Sequence, residues 1–364
     1  LFGENLVNEK FLTDPKAIRY NYKGEQGYCF TESDYDTAEV VALAYVSGDE
    51  NMIKIVTEPD EQFALFDDGK NQVYKRICYL DDSTTITDDK KDEALLADVN
   101  SDQCVRNNDG GLIHPKRDVH WEFVEHKCYK NNPREKLDKK LDRNGGGKTG
   151  NFSVPYGGQA SLLERKIEIA TGIKPEAGTG DLLKKTYNER YPVASAYLDD
   201  RELDPEELGY FRSVTGAYRK YHVYREGDVQ GLSNYARDKI LAPIRREARN
   251  APIQGIVADT LARAVIWLNR FFIKNDLKSR TIIPLYDACY SYGPLEERFV
   301  VKRAHEYFMS EMNTWNIHGR TLKFSIDTSF TQRWSTPLSE KEELNFNDSS
   351  YQTETYNNLN WDVF

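Results

Sequence analysis

The sequence has no run of eighteen apolar residues, so it offers no segment to span a membrane. No secretory leader is visible at its start. Its five cysteines (Cys29, Cys78, Cys104, Cys128 and Cys289) are scattered, without a Cys-x-x-Cys pair. That argues against a zinc site or a disulfide framework and fits a reducing, cytoplasmic compartment. A positive balance is also missing: net charge is −10, which taken alone argues against a nucleic-acid binder. The chain begins with Leu rather than Met, as expected of a fragment or a processed chain.

A phosphate-binding P-loop is absent as well, although "DRNGGGKTG" at residues 142–150 imitates one. That motif needs Gly, four residues, then Gly-Lys-Ser/Thr, between a strand and a helix. Counting back five from Gly147 gives Asp142, and the preceding "NNPREKLDKKLDR" is charged and helix-prone. Spacing and context both fail, so Lys148 needs another explanation.

What is present is length and uneven charge. The 364 residues suffice for two or more lobes around real cores. Residues 57–101 hold twelve Asp/Glu against five Lys/Arg, whereas residues 130–148 hold seven Lys/Arg against three acids. The stretch "APIRREARNAPIQG" is basic too. Screening over about 8–10 Å at physiological salt lets an acidic protein keep a basic groove for a phosphate backbone.

Along the chain, residues 18–34 suggest strands about a Gly-Glu-Gln-Gly turn, and residues 37–47 a helix. Asp34 and Asp36 therefore fall where a strand ends and a helix begins. Residues 57–117 read as an acidic inserted lobe. Residues 118–143 read as helix broken at "NNP", and 161–198 as two or three helices. Residues 232–275 suggest long helices split near "NAPIQG". "RTIIPLYDACYSYG" alternates like a hairpin with Tyr-Asp at its turn. "TLKFSIDTSFTQRW" reads as a closing strand, and residues 335–364 as a loosely packed polar tail.

Two carboxylates on strands and a lysine on a helix suit nucleotidyl transfer, in which paired divalent ions activate a hydroxyl and a cation offsets the leaving group's charge. At this point the chain resembles the family A, DNA polymerase I-type, polymerases. "DYDTAEVVALAYVSGDEN" is similar to motif A of that family, and "KTGNFSVPYG" to its motif B. "LYDA" lies where its motif C, His-Asp-Glu, belongs. "REARNAPIQGIVAD", "GYFRSVTGAYRKY", "RDVHWE" and "NLVN" resemble further stretches in the same order. The resemblance runs from about Asn5 to Trp334.

It implies an α+β right-hand fold: a palm of antiparallel sheet with helical fingers. The expected divisions are palm at 1–56, an acidic insertion at 57–117, fingers at 118–230, palm at 231–334 and a polar tail at 335–364. It implies template-directed DNA synthesis with primer-template DNA, dNTPs and two Mg²⁺ ions. By resemblance, Asp34 and Asp287 would bind both metals with the Tyr35 carbonyl. Glu39 would exclude ribonucleotides. Lys148, with His120 and Arg143, would meet the triphosphate, and Phe152 the deoxyribose. Tyr156 and Gly157 would sit at the templating base. Arg246, Asn250 and Gln254 would contact minor-groove acceptors near the primer end, and Tyr286 the primer-template.

Departures from the pattern are specific. The family's Arg lies four residues before the motif B Lys, whereas Arg143 lies five before Lys148 and Asn144 takes the Arg place. The three intervening glycines predict a loose helix start. Ser153 replaces a Gly, and Pro155 falls inside the expected helix. Tyr286 and Ala288 replace the His and Glu of motif C, and Val41 replaces the motif A Arg. The family's thumb and exonuclease-type domain precede motif A, so they are expected on a second chain, on an excised upstream part, or nowhere. Two other functions stay open: a single-subunit RNA polymerase, which Glu39 argues against, and a catalytically weak polymerase-like module for DNA binding or assembly. The divergence suggests a phage origin, which would place the protein in a host cytoplasm.

Overall fold

The computed structural model describes residues 24–57, 118–126, 128–130, 132, 136–213, 216–221, 231–331 and 359–363, together with the backbone of five strands between 61 and 114. In chain order come β1 (Tyr28–Tyr35), α1 (Ala38–Ser47) and α2 (Glu50–Thr57). Then follow β2 (Glu61–Asp67), β3 (Gln72–Leu80), β4 (Ser83–Ile86), β5 (Val105–Arg106), β6 (Leu112–His114) and α3 (Val119–Glu125). A π-helical segment, Lys139–Gly147, leads into α4 (Lys148–Ser153), α5 (Ala160–Thr171), α6 (Thr179–Arg190), α7 (Pro192–Arg201) and α8 (Asp204–Glu207). After β7 (Tyr210–Arg212) and β8 (Tyr218–Lys220) come α9 (Asn234–Lys274), β9 (Arg280–Leu285), β10 (Ala288–Pro294) and α10 (Arg298–His305). A second π segment, Glu306–Glu311, precedes β11 (Thr314–Ile317), β12 (Arg320–Lys323) and β13 (Ile326–Thr331). Two compact units divide the chain: Leu1–Ala38 with Gly255–Phe364, and Glu39–Gln254.

The first unit is built on a four-stranded sheet of order β13-β1-β10-β9, every pair antiparallel. Successive side chains on a strand point to opposite faces. Thr31, Ser33 and Tyr35 are therefore buried, and Asp34 stands on the opposite, open face. Register sets Asp34 opposite Ala288 on one side and Asp327 on the other. The buried face meets α10 and the π segment after it, and the Tyr35 hydroxyl donates to the Met309 carbonyl at 3.1 Å.

Three local expectations change here. The stretch "TLKFSIDTSFTQRW" is two strands: residues up to Lys323 belong to the β11–β12 ribbon, and Ile326–Thr331 joins the sheet. Burial of Phe324 and the bond from the Asp36 N–H to the Ser325 carbonyl turn the chain between them. The long helix does not split near "NAPIQG"; α9 runs 41 residues with Pro243 and Pro252 inside. A proline removes one ladder donor, but Ala248, Ala251, Ile253 and Ile256 are buried on both sides of Pro252 and hold the helix through it. Of the tail expected to be loose, residues 335–358 and 364 lie outside the described residues, and 359–363 are packed. The Trp361 and Phe271 rings are tilted with centroids 4.6 Å apart, and Lys274 donates to the Asp362 carbonyl at 2.5 Å.

The second unit is helical around α3 to α9, with a five-stranded antiparallel sheet of order β4-β3-β2-β6-β5 in the region expected to be an insertion. Asp49, buried, accepts from the Met52 N–H and from the N–H groups of Val193 and Ala194. One carboxylate thus caps the first turns of α2 and α7, where backbone donors are otherwise orphaned.

Candidate active site

The β9–β10 hairpin turns through Tyr286 and Asp287, as its alternation implied. Tyr286 takes a left-handed φ of 57°, uncommon for a residue with a side chain, and is 86% exposed. The Tyr35 N–H donates to the Asp287 carbonyl at 3.2 Å, tying the end of β1 to the turn. The Asp34 and Asp287 carboxyls lie within hydrogen-bonding reach of each other. Partial desolvation, then Asp287 and Glu32, raise the Asp34 pKa to about 6 even though its side chain faces open space. Glu32 shares that face and accepts from the Tyr290 hydroxyl.

Burial and the neighbouring Asp287 raise the proton affinity of Asp34, a strain that a divalent cation between the two carboxyls would relieve. With the Tyr35 carbonyl they fit such an ion by oxygen chemistry. Among the described residues no group of three or more His, Cys, Asp or Glu side chains could hold a metal. Ala288 supplies no third carboxylate, since it is apolar and buried beside Asp34.

In the other unit His120, Arg143, Lys148 and Phe152 come together. Asp118 caps α3: its Oδ1 accepts from the N–H groups of His120 and Trp121. Its Oδ2 accepts from Arg143 Nε at 2.6 Å, and Arg143 Nη1 donates to Asn144 Oδ1 at 2.9 Å. Burial alone would raise the Asp118 pKa, but Arg143 and the helix-end N–H groups hold it below the usual carboxylate value. His120 is buried, and its ring lies 5.0 Å from that of Phe152. Burial, reinforced by Arg143 and Lys148, pushes its pKa down to about 4, so it is neutral near pH 7. Lys148 is exposed and Phe152 half-buried.

The extra residue between Arg143 and Lys148 is absorbed by the π segment. The Lys148 N–H bonds to the Arg143 carbonyl, an i→i+5 link, so the two residues stack on one ridge as an i,i+4 pair does in an α-helix. The glycine run is therefore not the loose helix start its composition predicts: Gly145, Gly146 and Gly147 are all buried. A β-carbon on Gly146 would stand 2.5 Å from the Tyr129 hydroxyl oxygen, and one on Gly147 would meet the His120 carbonyl. Close packing, more than conformational freedom, requires glycine here. Pro155 is not inside a helix: α4 ends at Ser153, and Pro155 lies in the following turn, its carbonyl accepting from Arg249 Nε at 3.0 Å. Ser153, where the family pattern has Gly, accepts from Lys166 Nζ at 2.9 Å.

Tyr156 and Gly157 close that turn, both half-buried, with Gly157 at a φ of 70°. Its Cα approaches Arg246, whose Cγ would lie 3.3 Å from an added β-carbon. Arg246, Asn250 and Gln254 recur every four residues on α9, which sets them along one stripe. Arg246 and Gln254 are exposed, while the Asn250 amide oxygen is buried and finds no hydrogen-bond partner among the described residues. Glu39 occupies the first turn of α1, half-buried. Two residues escaped the sequence reading. Asp118 was detectable as an Asp just before a helix, whereas His305, behind the sheet, carried no local signal.

The family model for DNA polymerase family A matches residues 92–336. DNA polymerase I of Caldicellulosiruptor bescii is 30% identical over 152 residues, 42% of this chain and 16% of that protein. The DNA polymerase of Bacillus phage SP01 is 25% identical over 165 residues, 45% of this chain and 17% of that one. The thermostable DNA polymerase I of Thermus aquaticus is 22% identical over 327 residues, 90% of this chain and 29% of that one. The chain thus spans less than a third of each of these relatives. Its fold is similar to the POL domain of Pol1 from M. smegmatis, solved in complex with DNA primer-template and dNTP. That match has a TM-score of 0.57 at 16% identity, over 88% of this chain and 42% of that one. An α+β polymerase fold and a family match over most of the sequence lead to one conclusion: the chain belongs to DNA polymerase family A.

Proposed function

We propose that the chain performs template-directed DNA synthesis, adding dNMP from dNTP to a primer 3′-hydroxyl. The observation that carries this is the pair of Asp34 and Asp287 carboxyls at one end of an antiparallel sheet, where burial and Asp287 together raise the demand of Asp34 for a positive charge. Asp34 and Asp287, with the Tyr35 carbonyl, would hold two Mg²⁺ ions. When bound, such ions activate the hydroxyl and neutralise the leaving pyrophosphate. Lys148 and Arg143 offset charge on the triphosphate. His120, being neutral, donates a hydrogen bond there without adding charge. Phe152 packs on the deoxyribose, and the bulk of Glu39 excludes a 2′-hydroxyl. Tyr156 and Gly157 border the templating base. Arg246, Asn250, Gln254 and Tyr286 contact the primer-template, where minor-groove acceptors common to all correct pairs report shape rather than sequence.

The buried Ala288 beside Asp34, in place of the carboxylate of the family's motif C, favours a second reading, a catalytically weak DNA-binding module. Primer extension with deoxy- and ribonucleotides decides. Deoxynucleotide incorporation lost on Asp34→Asn supports the synthesis reading. Duplex binding without extension in either Mg²⁺ or Mn²⁺ replaces it with the weak module, and preference for ribonucleotides replaces it with an RNA polymerase.

A further inference from the structure

Behind the carboxylate face lies a buried polar chain that spans three of the four strands. His305, at the end of α10, is fully buried. Its Nε2 lies 2.8 Å from Ser291 Oγ on β10, and its Nδ1 lies 2.9 Å from Ser33 Oγ on β1. Ser33 Oγ in turn lies 2.8 Å from Thr328 Oγ1 on β13. Burial pushes the His305 pKa down to about 3, so the ring is neutral. Whichever nitrogen carries the proton, a neutral imidazole donates to one serine and accepts from the other, and each hydroxyl can take the complementary part.

The placement matters because of the strand period. Ser33 immediately precedes Asp34, and Thr328 immediately follows Asp327, which is the register partner of Asp34. Ser291 lies on β10, which begins directly after Asp287. Each strand of the stitch therefore carries or adjoins a carboxylate on the open side. A slide of one strand would stretch and then break these buried hydrogen bonds, leaving hydroxyls desolvated without a partner. Purely apolar packing would resist such a slide less sharply, because dispersion contacts vary gradually with distance.

We infer that His305 is a positioning residue for the metal-binding carboxylates: it clamps β1 to β10 from behind and so fixes the spacing of Asp34 and Asp287. This rests on the reading of those two residues as metal-binding. It concerns no group that touches substrate.

The test is Mn²⁺ affinity of the full chain, measured by electron paramagnetic resonance, alongside Tm. Wild type is expected to bind Mn²⁺ in a manner lost on Asp34→Asn. Absence of any Asp34-dependent binding would overturn the metal reading itself and this inference with it. His305→Leu removes both ring bonds and should weaken Mn²⁺ binding about tenfold, a size typical of lost outer supports of a metal site. The double variant His305→Leu, Ser291→Ala also removes the hydroxyl that the leucine orphans, while Ser33 keeps its Thr328 partner, and should recover Tm while leaving Mn²⁺ binding weak. Unchanged Mn²⁺ affinity in either folded variant, or affinity that recovers together with Tm, shows a merely structural histidine and overturns the inference. If neither variant folds, Ser291→Ala, which cuts one bond, takes their place: about threefold weaker binding supports the clamp, and unchanged binding refutes it.

Discussion

Arg143 and Lys148 are five residues apart in sequence, yet the Lys148 N–H bonds to the Arg143 carbonyl, which places them one π turn apart on the same ridge. An insertion that looks disruptive in sequence is taken up by a wider helical turn. Asp118 then holds the Arg143 guanidinium at 2.6 Å beside neutral His120.

Arg143→Ala should raise the KM for dNTP about tenfold to a hundredfold, the worth of a charge-assisted hydrogen bond to phosphate. Asp118→Asn keeps a good helix cap but loses the ion pair, so KM should rise less than in Arg143→Ala and Tm should move little. Steady-state kinetics on a defined primer-template checks both. An Arg143→Ala enzyme with wild-type KM would remove Arg143 from the triphosphate.

Gly146→Ala should destabilise the chain by about 1–3 kcal/mol, as overpacking does, because its β-carbon would press on the Tyr129 ring. Chemical denaturation measures it. The double variant Gly146→Ala, Tyr129→Leu should recover part of the loss; if Gly146→Ala alone is neutral, the π segment is less tightly packed than described.

Asp34→Asn and Asp287→Asn should each lower kcat by at least about 10³-fold, since a metal-held transition state is worth several kcal/mol. Circular dichroism should show an intact fold, because Asp34 stands on the open face. Residual extension above a few per cent in either variant would count against the carboxylate pair as the reaction centre.

On the proposed reading of Glu39 as the barrier to a 2′-hydroxyl, Glu39→Ala should admit ribonucleotides markedly better. Phe152→Tyr should ease dideoxynucleotide use, a phenol oxygen replacing the contact of the missing 3′-hydroxyl. Competition between nucleotide types on one template reads both ratios, and an unchanged ratio removes the corresponding residue from the sugar.

The folded pKa of His120, about 4, lies below the ordinary value near 6.5. The unfolded chain therefore binds the proton first. Its contribution to stability is complete above about pH 6.5, declines as pH falls, and is lost by about pH 4. Tm should fall across that window, and His120→Gln should flatten part of the fall. His305 adds a loss of the same sign, whereas the raised Asp34 pKa opposes it. The informative measurement is thus the difference between variant and wild type at each pH; a His120→Gln profile parallel to wild type would mean the ring is not buried neutral.

Local pattern determined much of this protein. Alternation placed the Tyr286-Asp287 turn, and the change from strand to helix after Asp34 follows from short-range preference. Resemblance, rather than spacing, singled out Arg246, Asn250 and Gln254, and their alignment along one stripe needed the helix that the structure carries unbroken through "NAPIQG". Tertiary structure alone decided the rest. The glycine run became a packed π turn because Tyr129 and the His120 carbonyl press on it from other parts of the chain. The long helix passed Pro252 because buried neighbours on both sides hold it. The hydrogen-bonded chain from Ser291 through His305 and Ser33 to Thr328 joins residues up to 295 positions apart. No local propensity encodes such a meeting, since it exists only once strand register and the helix behind the sheet have fixed where each buried polar group must find its partner.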